Sequence, residues 1–377
     1  MKELGIYIHI PFCKQKCSYC DFISFANKEE YVEQYINALK EEIKNTIYNN
    51  YDVYTIYICG GNHSFINSKN ITQILDLVKE KFNVKNNAEI TIEVNPGTVD
   101  KEKLQDYKKA GINRLSIGLQ STNDKILKNI GRIHTYQEFL DTYNLARSVG
   151  INNINVDLML ALPNQTLEDL KTSFDEVIKL QPEHISVYSL ILEEGTLMEK
   201  LVDEKKIELP SEEIERQMYW NVKEKLESNG YTHYEISNFS KKGFESKHNL
   251  NCWNQKEYIG FGLAAHSYID NKRFCNTSNI KDYMDNIQNN DFKSNIEICE
   301  IQNEEDKKKE YMLLGLRKID GVNIQEFKNK FIDNPIYLFH KELEKLVKED
   351  LIEIDSNNIK LTSKGLDLAN LVWEEFV

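Results

Sequence analysis

The sequence predicts an α/β protein, an open, partial (β/α)6 barrel followed by a small winged-helix-like α+β module. Three observations carry this reading. Residues 4 to about 190 alternate short β-type runs with helical patterns, the mark of repeated βα units and a parallel sheet. Several of those runs sort their polar residues onto one face. The tail combines helical patterns with one short hairpin.

The strand candidates are Gly5 to Ile10, Val53 to Ile58, Ile90 to Asn95, Asn113 to Gln120, Asn153 to Leu158 and His184 to Ser189. Between them apolar residues recur three and four apart, as in Val32, Ile36, Leu39, Ile43 and Ile47, and in Ile71, Ile74, Leu75, Val78 and Phe82.

Strands of a parallel sheet covered on both sides normally read as continuous apolar runs. Here Ile6, Ile8 and Ile10 oppose Tyr7 and His9, and Ile90, Ile92 and Val94 oppose Thr91, Glu93 and Asn95. The fourth strand groups Arg114, Ser116, Gly118 and Gln120, and the fifth groups Asn153, Asn155 and Asp157. Such faces imply a polar lumen able to hold a cofactor, with helices covering the apolar side.

Beyond residue 190 one helix is clear, around Ile214, Met218, Val222 and Leu226. The runs GYTHYEISNF and KHNLNCWNQKEYIGFGLAAHS read as strands and loops closing one end of the barrel. Polar, aperiodic sequence from Gln288 to Lys309 is the expected linker. In LIEIDSNNIKLT, Ile352 and Ile354 would face Ile359 and Leu361 across an Asn357-Asn358 turn. The expected division is a barrel over 1–235, a barrel-closing segment over 236–300 and a C-terminal module over 301–377.

The 47 basic and 60 acidic residues give a net charge of −13, which disfavours nucleic acid, even for a winged-helix module, and anionic lipid as partners. No run of about 18 apolar residues occurs and the start has no signal-peptide arrangement, so a cytoplasmic protein is expected. Seven cysteines, at 13, 17, 20, 59, 252, 275 and 299, do not form a disulfide framework.

Cys13-x3-Cys17-x2-Cys20 follows the first strand in a loop begun by Pro11, at the strand end where barrels of this kind carry their active sites. Three thiolates on a four-iron cluster leave one iron open for the amine and carboxylate of an amino-acid ligand, beside a sulfonium that one-electron transfer can split. The alternative is a structural zinc, for which His9 is the only close histidine.

CKQKCSYC resembles the motif of the radical S-adenosylmethionine (SAM) superfamily. In order, IHIPFCKQKCSYCDF, TIEVNPG, NRLSIGLQS, GRIHT, VDLMLALPNQT, HYEISNF and KHNLNCW resemble the oxygen-independent coproporphyrinogen III oxidase-like family, and within it the heme chaperone branch. The likeness covers nearly the whole chain. It implies a radical SAM barrel with a [4Fe-4S] cluster on Cys13, Cys17 and Cys20. It further implies that Tyr7 and Tyr19 contact S-adenosylmethionine and that the backbone amides of Gly60 and Gly61, with Asn62 beside them, receive its methionine end. Glu93 and Gln120 would hydrogen-bond it, Arg132 would meet its carboxylate, Asp157 its ribose hydroxyls, and Ile191 would offer a backbone contact near the adenine. Read without the resemblance, a lone Glu, Gln or Asp on a strand is more often a solvated or hydrogen-bonded structural group, Gly60-Gly61 more often a turn, and Arg132 fits a helix end.

Two departures from the family stand out. Its glycine-rich loop reads Gly-Gly-Gly-Thr-Pro, whereas here it is Cys59-Gly60-Gly61-Asn62-His63, with Cys59 lacking glycine's backbone freedom; weaker or differently posed cofactor binding is expected. The family's heme motif, His-Asn-x-x-Tyr-Trp, reads His248-Asn249-Leu250-Asn251-Cys252-Trp253. Histidine is a natural axial ligand and tryptophan a natural wall for a macrocycle, with Cys252 a second candidate iron ligand. A packed, hydrogen-bonded histidine is the alternative.

Three functions compete. A heme chaperone would bind the cluster, S-adenosylmethionine and heme, take electrons from a donor such as flavodoxin or ferredoxin, and pass heme to an acceptor protein, including a membrane-associated one. A coproporphyrinogen III oxidase would decarboxylate two propionates in porphyrin biosynthesis. A non-catalytic protein would hold a structural metal. The oxidase branch has a further cysteine two residues after the third ligand and a long segment before the first; here Phe22 occupies that position and Cys13 follows one strand, which favours the chaperone and argues against coproporphyrinogen dehydrogenase activity.

Overall fold

The computed structural model describes residues 2–377, apart from the side chains of His63, Ile298 and Cys299. Strands β1 (Lys2–Ile10), β2 (Tyr51–Gly60), β3 (Asn83–Val94), β4 (Arg114–Gln120), β5 (Ile154–Leu160) and β6 (His184–Ser189) pair in parallel in chain order. All six predicted strands are present. β3 begins at Asn83 rather than Ile90, because a register break between Val53 and Thr55 lets the polar stretch Asn83–Asn87 join the strand out of phase with its apolar half.

Helices α1 (Val32–Asn45), α2 (Ser68–Lys81), α3 (Lys101–Lys109), α4 (Asp124–Asn129), α5 (Tyr136–Ser148) and α6 (Leu167–Leu180) follow the strands. Ile36, Leu39 and Ile43 of α1, with Ile71, Ile74, Leu75 and Val78 of α2, are buried in a core that also takes Ile6, Ile8, Ile56, Ile58, Ile90 and Ile92 from the sheet. Burying a side chain of this size contributes roughly 1.5–3 kcal/mol. The predicted α1 stripe is one residue too long: Ile47 lies past the extended C-cap at Thr46 and is exposed.

After α7 (Leu197–Asp203) and α8 (Glu212–Ser228), the sheet is extended at both edges rather than closed. The hairpin β7 (Thr232–Glu235) and β8 (Asn238–Ser240) adds beside β6. After the short helix α9 (Lys247–Trp253), β9 (Tyr258–Phe261) runs parallel to β1, and β10 (His266–Ile269), β11 (Lys272–Asn276) and β12 (Ile296–Ile301) continue antiparallel. The result is an open 12-stranded sheet. The stretch expected as a linker, Gln288 to Lys309, holds the end of α10 (Ile280–Gln288), the edge strand β12 and the start of α11 (Glu304–Gly315). Sequence periodicity misses β12 because its six residues lie within a polar stretch and, as an edge strand, it leaves Ile296 and Ile301 exposed.

The C-terminal module follows with β13 (Val322–Asn323), α12 (Ile324–Phe331), α13 (His340–Lys348), β14 (Ile352–Ile354), β15 (Asn358–Leu361) and α14 (Ala369–Glu374). Met312, Leu316, Phe327, Leu343, Ile359 and Val372 form its own core. The hairpin has the predicted pairs, Ile352 with Leu361 and Ile354 with Ile359. Its turn lies earlier than expected, however: Asp355 Oδ1 accepts from the amides of Asn357 and Asn358 at 2.7 and 2.8 Å, and Asn358 already belongs to β15.

Candidate functional site

The expected polar lumen exists. Its lower part, toward the strand N-termini, is filled by hydrogen-bonded side chains. Asn155 Nδ2 donates to Ser116 Oγ at 2.7 Å, Ser116 Oγ donates to Asp157 Oδ2 at 3.2 Å, and His184 bridges Asn155 Oδ1 at 2.6 Å and the Tyr234 hydroxyl at 2.7 Å. Arg114 is buried among them. Above, at the strand C-termini, opens a cavity of about 400 Å³.

Cys13, Cys17 and Cys20 all line this cavity. Their loop is held by backbone: Phe12–Cys13 pairs with Phe25–Ala26, Ser18 N donates to Ile130 O at 3.1 Å, and Met198 N donates to Ser18 O at 2.8 Å. Burial raises the Cys13 thiol and pushes that of Cys20 up to about 11, so binding iron here would displace protons. Among the described residues no three His, Cys, Asp or Glu side chains are grouped to hold a single metal ion.

Of the residues expected at the cofactor, Tyr19, Gly60, Gly61, Asn62, Glu93, Gln120, Arg132 and Asp157 line the cavity. Arg132 reaches it from the loop after α4, donating through Nη2 to Asn95 Oδ1 at 2.8 Å and to Gly118 O, with Nη1 3.5 Å from Cys17 Sγ. Tyr57 donates to Glu93 Oε1 at 3.0 Å. Burial, then the nearby Asp157 carboxylate, push Glu93 up to about 7. Asp157 is raised by burial as well, in spite of Asn155 and Ser186. Gln120 closes β4 at φ +71, where the register with β5 breaks, which places it at the cavity.

Tyr7 and Ile191 are not part of the lining. The Tyr7 hydroxyl lies 2.9 Å from His9 Nδ1, and Ile191, past the end of β6, is 67% exposed.

The glycine loop differs from expectation in two ways. Cys59 occupies ordinary strand backbone, so the loss of a glycine there brings no strain; the position that needs one is Gly60, at φ +121, where an added Cβ would stand 2.6 Å from the His9 ring. In addition, the Gly61 and Asn62 amides already donate to Ile10 O at 2.9 Å and Phe12 O at 2.7 Å. They tie the loop to the cysteine segment. Asn62 Oδ1 accepts from Ser64 Oγ at 2.8 Å, and the side chain of His63 lies outside the described residues.

The expected heme residues lie elsewhere, on α9 behind Tyr57 and outside the cavity lining. His248 is 7% exposed, hydrogen-bonded through Nδ1 to Thr55 Oγ1 at 3.0 Å and stacked on Tyr57 at 5.2 Å between centroids. The Asn249 amide donates to Oγ of the N-cap Ser246 at 3.4 Å. Burial pushes the Cys252 thiol up to about 11, and the Trp253 ring is covered by the Arg317 guanidinium at 4.4 Å.

Sequence reasoning did not single out Tyr57, His134, Met159 and Tyr188, which also line the cavity. Tyr57 was legible, since it shares the alternation of Thr55 and Cys59 along β2. His134 was not, because a loop position carries no periodicity.

The fold and the cysteine-lined cavity define a radical SAM protein. Residues 7–177 match the family described as the radical SAM superfamily, and residues 302–368 match the HemN C-terminal domain. The chain is 38% identical to the heme chaperone HemW of Bacillus subtilis over 98% of both chains, and 34% identical to that of Lactococcus lactis over 100% of this chain and 98% of the relative. It belongs to the HemW family. Its fold is that of the Escherichia coli coproporphyrinogen III oxidase HemN, with a TM-score of 0.86 over 100% of this chain and 90% of HemN at 23% identity. No helix among the described residues is long and apolar enough to cross a membrane.

Proposed function

We propose that this protein is a heme chaperone that holds a [4Fe-4S] cluster on Cys13, Cys17 and Cys20 and S-adenosylmethionine in the adjoining cavity. The observation that carries this reading is the meeting of three cysteines with Glu93, Gln120, Arg132 and Asp157 around one cavity. Three cysteines on one loop, with no fourth cysteine in the described lining, suit a four-iron cluster that keeps one corner open.

Each cavity residue has a task in this reading. Glu93 and Gln120 would take the ligand's amine, and Arg132 its carboxylate, with its guanidinium already oriented by Asn95 and Gly118. Asp157 would accept from the ribose hydroxyls, oriented by Ser116 and Asn155. When bound, cluster and ligand would supply one-electron chemistry at the sulfonium.

Heme handling is supported by the HemW relatives and by the cavity mouth. Phe22 and Ile133 line it and are 53% and 47% exposed, a surface on which a flat macrocycle can lie. The heme acceptor, a membrane-associated protein among the options, and an electron donor of the flavodoxin or ferredoxin kind are the partners this role calls for.

Anaerobic incubation of the reconstituted protein with reductant and S-adenosylmethionine, once with heme and once with coproporphyrinogen III, tests the reading. Stable heme uptake and no decarboxylated product are expected. Protoporphyrinogen formation would overturn the chaperone reading in favour of the oxidase.

A further inference from the structure

We infer that His248 is a positioning residue for the S-adenosylmethionine cavity, holding Tyr57 against Glu93, and is not a ligand to heme iron. This rests on the reading that the cavity takes S-adenosylmethionine.

The geometry is a continuous line of contacts along the lumen face of the sheet. His248 sits in the first turn of α9, with its amide 3.2 Å from Glu89 Oε1 and its Nδ1 3.0 Å from Thr55 Oγ1. Its ring lies against that of Tyr57 with 30° between the planes. Tyr57 presents its hydroxyl to Glu93 Oε1 at 3.0 Å, and both Tyr57 and Glu93 line the cavity. The Tyr57 hydroxyl is tethered at Glu93 and its ring rests on the imidazole, so these two contacts together set where the ring stands. Gly5 of β1 leaves space on the far side: a Cβ there would already lie 3.5 Å from His248 Cε1 and 3.1 Å from Thr55 Oγ1.

The same contacts leave no place for a porphyrin. An axial ligand needs a ring nitrogen facing a slot wide enough for a macrocycle. Nδ1 of His248 is engaged by Thr55, and the ring that carries the remaining Nε2 is stacked on Tyr57 and only 7% exposed. Trp253, the expected wall, is occupied by Arg317. Burial and then Arg114 hold the imidazole at about 4, so it stays neutral, as a packed ring should.

The test uses the anaerobically reconstituted full chain with four variants, His248→Phe, His248→Ala, Tyr57→Phe and the double variant H248A/Y57F. Melting curves accompany calorimetric S-adenosylmethionine affinity and a heme titration followed at the Soret band. Phenylalanine keeps the stacked ring and cannot ligate iron, so His248→Phe is expected to bind both ligands within about twofold of wild type. His248→Ala and Tyr57→Phe are each expected to weaken S-adenosylmethionine binding about tenfold, the scale of one hydrogen bond to a charged group. Because one acts through the other, the double variant should be no weaker than Tyr57→Phe alone.

Loss of the heme band in His248→Phe with S-adenosylmethionine affinity retained would make His248 an iron ligand and overturn the inference. So would an unchanged affinity in His248→Ala, or additive losses in the double variant. Wild-type protein that binds no S-adenosylmethionine at all would instead overturn the cavity reading, and the inference with it.

Discussion

Glu93 is the residue whose surroundings say most about the cavity. A carboxyl group held at about 7 by burial and by Asp157 is half protonated near neutrality, and a cationic amine beside it would pull it toward the ionised form. The sign for stability follows. The folded value lies above the ordinary 4.5, so the folded state binds the proton more tightly; that advantage is complete below 4.5 and is lost as pH rises through about 7. Glu93→Gln keeps a partner for Tyr57 without the charge. It is expected to match wild type at pH 4.5 and to exceed it by roughly 1–3 kcal/mol at pH 8, read by urea unfolding of the ligand-free protein. Equal stability of the two proteins at pH 8 would show that Glu93 is not strained by ionisation.

At the scale of elements, the cavity depends on loops that their neighbouring elements hold rigid. Arg132 and His134 stand between α4 and α5, and the start of α5 is set by a capping box in which Thr135 and Glu138 satisfy each other's backbone amides. Thr135→Ala removes one half of it. The expected result is about 1 kcal/mol of lost stability, together with weaker S-adenosylmethionine binding, since Arg132 lies three residues before the cap. Unaltered affinity in the destabilised variant would show that Arg132 is held by Asn95 and Gly118 alone.

Element identity was largely legible. The six parallel strands, the helices that cover them and the pairing of the last hairpin follow from apolar periods of two and of three to four. β12 was not legible, because IEICEI is a short run set within a long polar and charged stretch, and its terminal Ile296 and Ile301 stay exposed at the sheet edge. The glycine loop shows the same limit within a motif: the resemblance implied that the Gly60 and Gly61 amides face the ligand, and the Gly61 amide is claimed by Ile10 O.

The whole molecule is joined where the sheet meets the C-terminal module. Ile236 N donates to Arg317 O and Ile319 N to Tyr234 O, each at 3.1 Å, extending the β7–β8 hairpin by a segment of the module. The Arg317 guanidinium lies between Trp253 at 4.4 Å and Trp373 at 4.7 Å, one ring from each side of the junction. A desolvated cation–π contact contributes on the order of 1–2 kcal/mol. Arg317→Ala is therefore expected to lower the melting temperature by several degrees and to change tryptophan fluorescence, while the cysteine loop still takes up iron. A melting curve like that of wild type would show that the backbone pairing alone holds the module.

By itself the sequence determined the βα repeat, the polar lumen and the three-cysteine loop, since periodicity and ligand spacing are local properties of a chain. Tertiary structure alone decided what the lumen side chains face. It put Tyr57 between His248 and Glu93, set the α9 residues behind Tyr57 and outside the cavity lining, and left the sheet open by extending both edges. Those outcomes depend on which distant residues reach the same buried space first, and chain spacing carries no record of that competition.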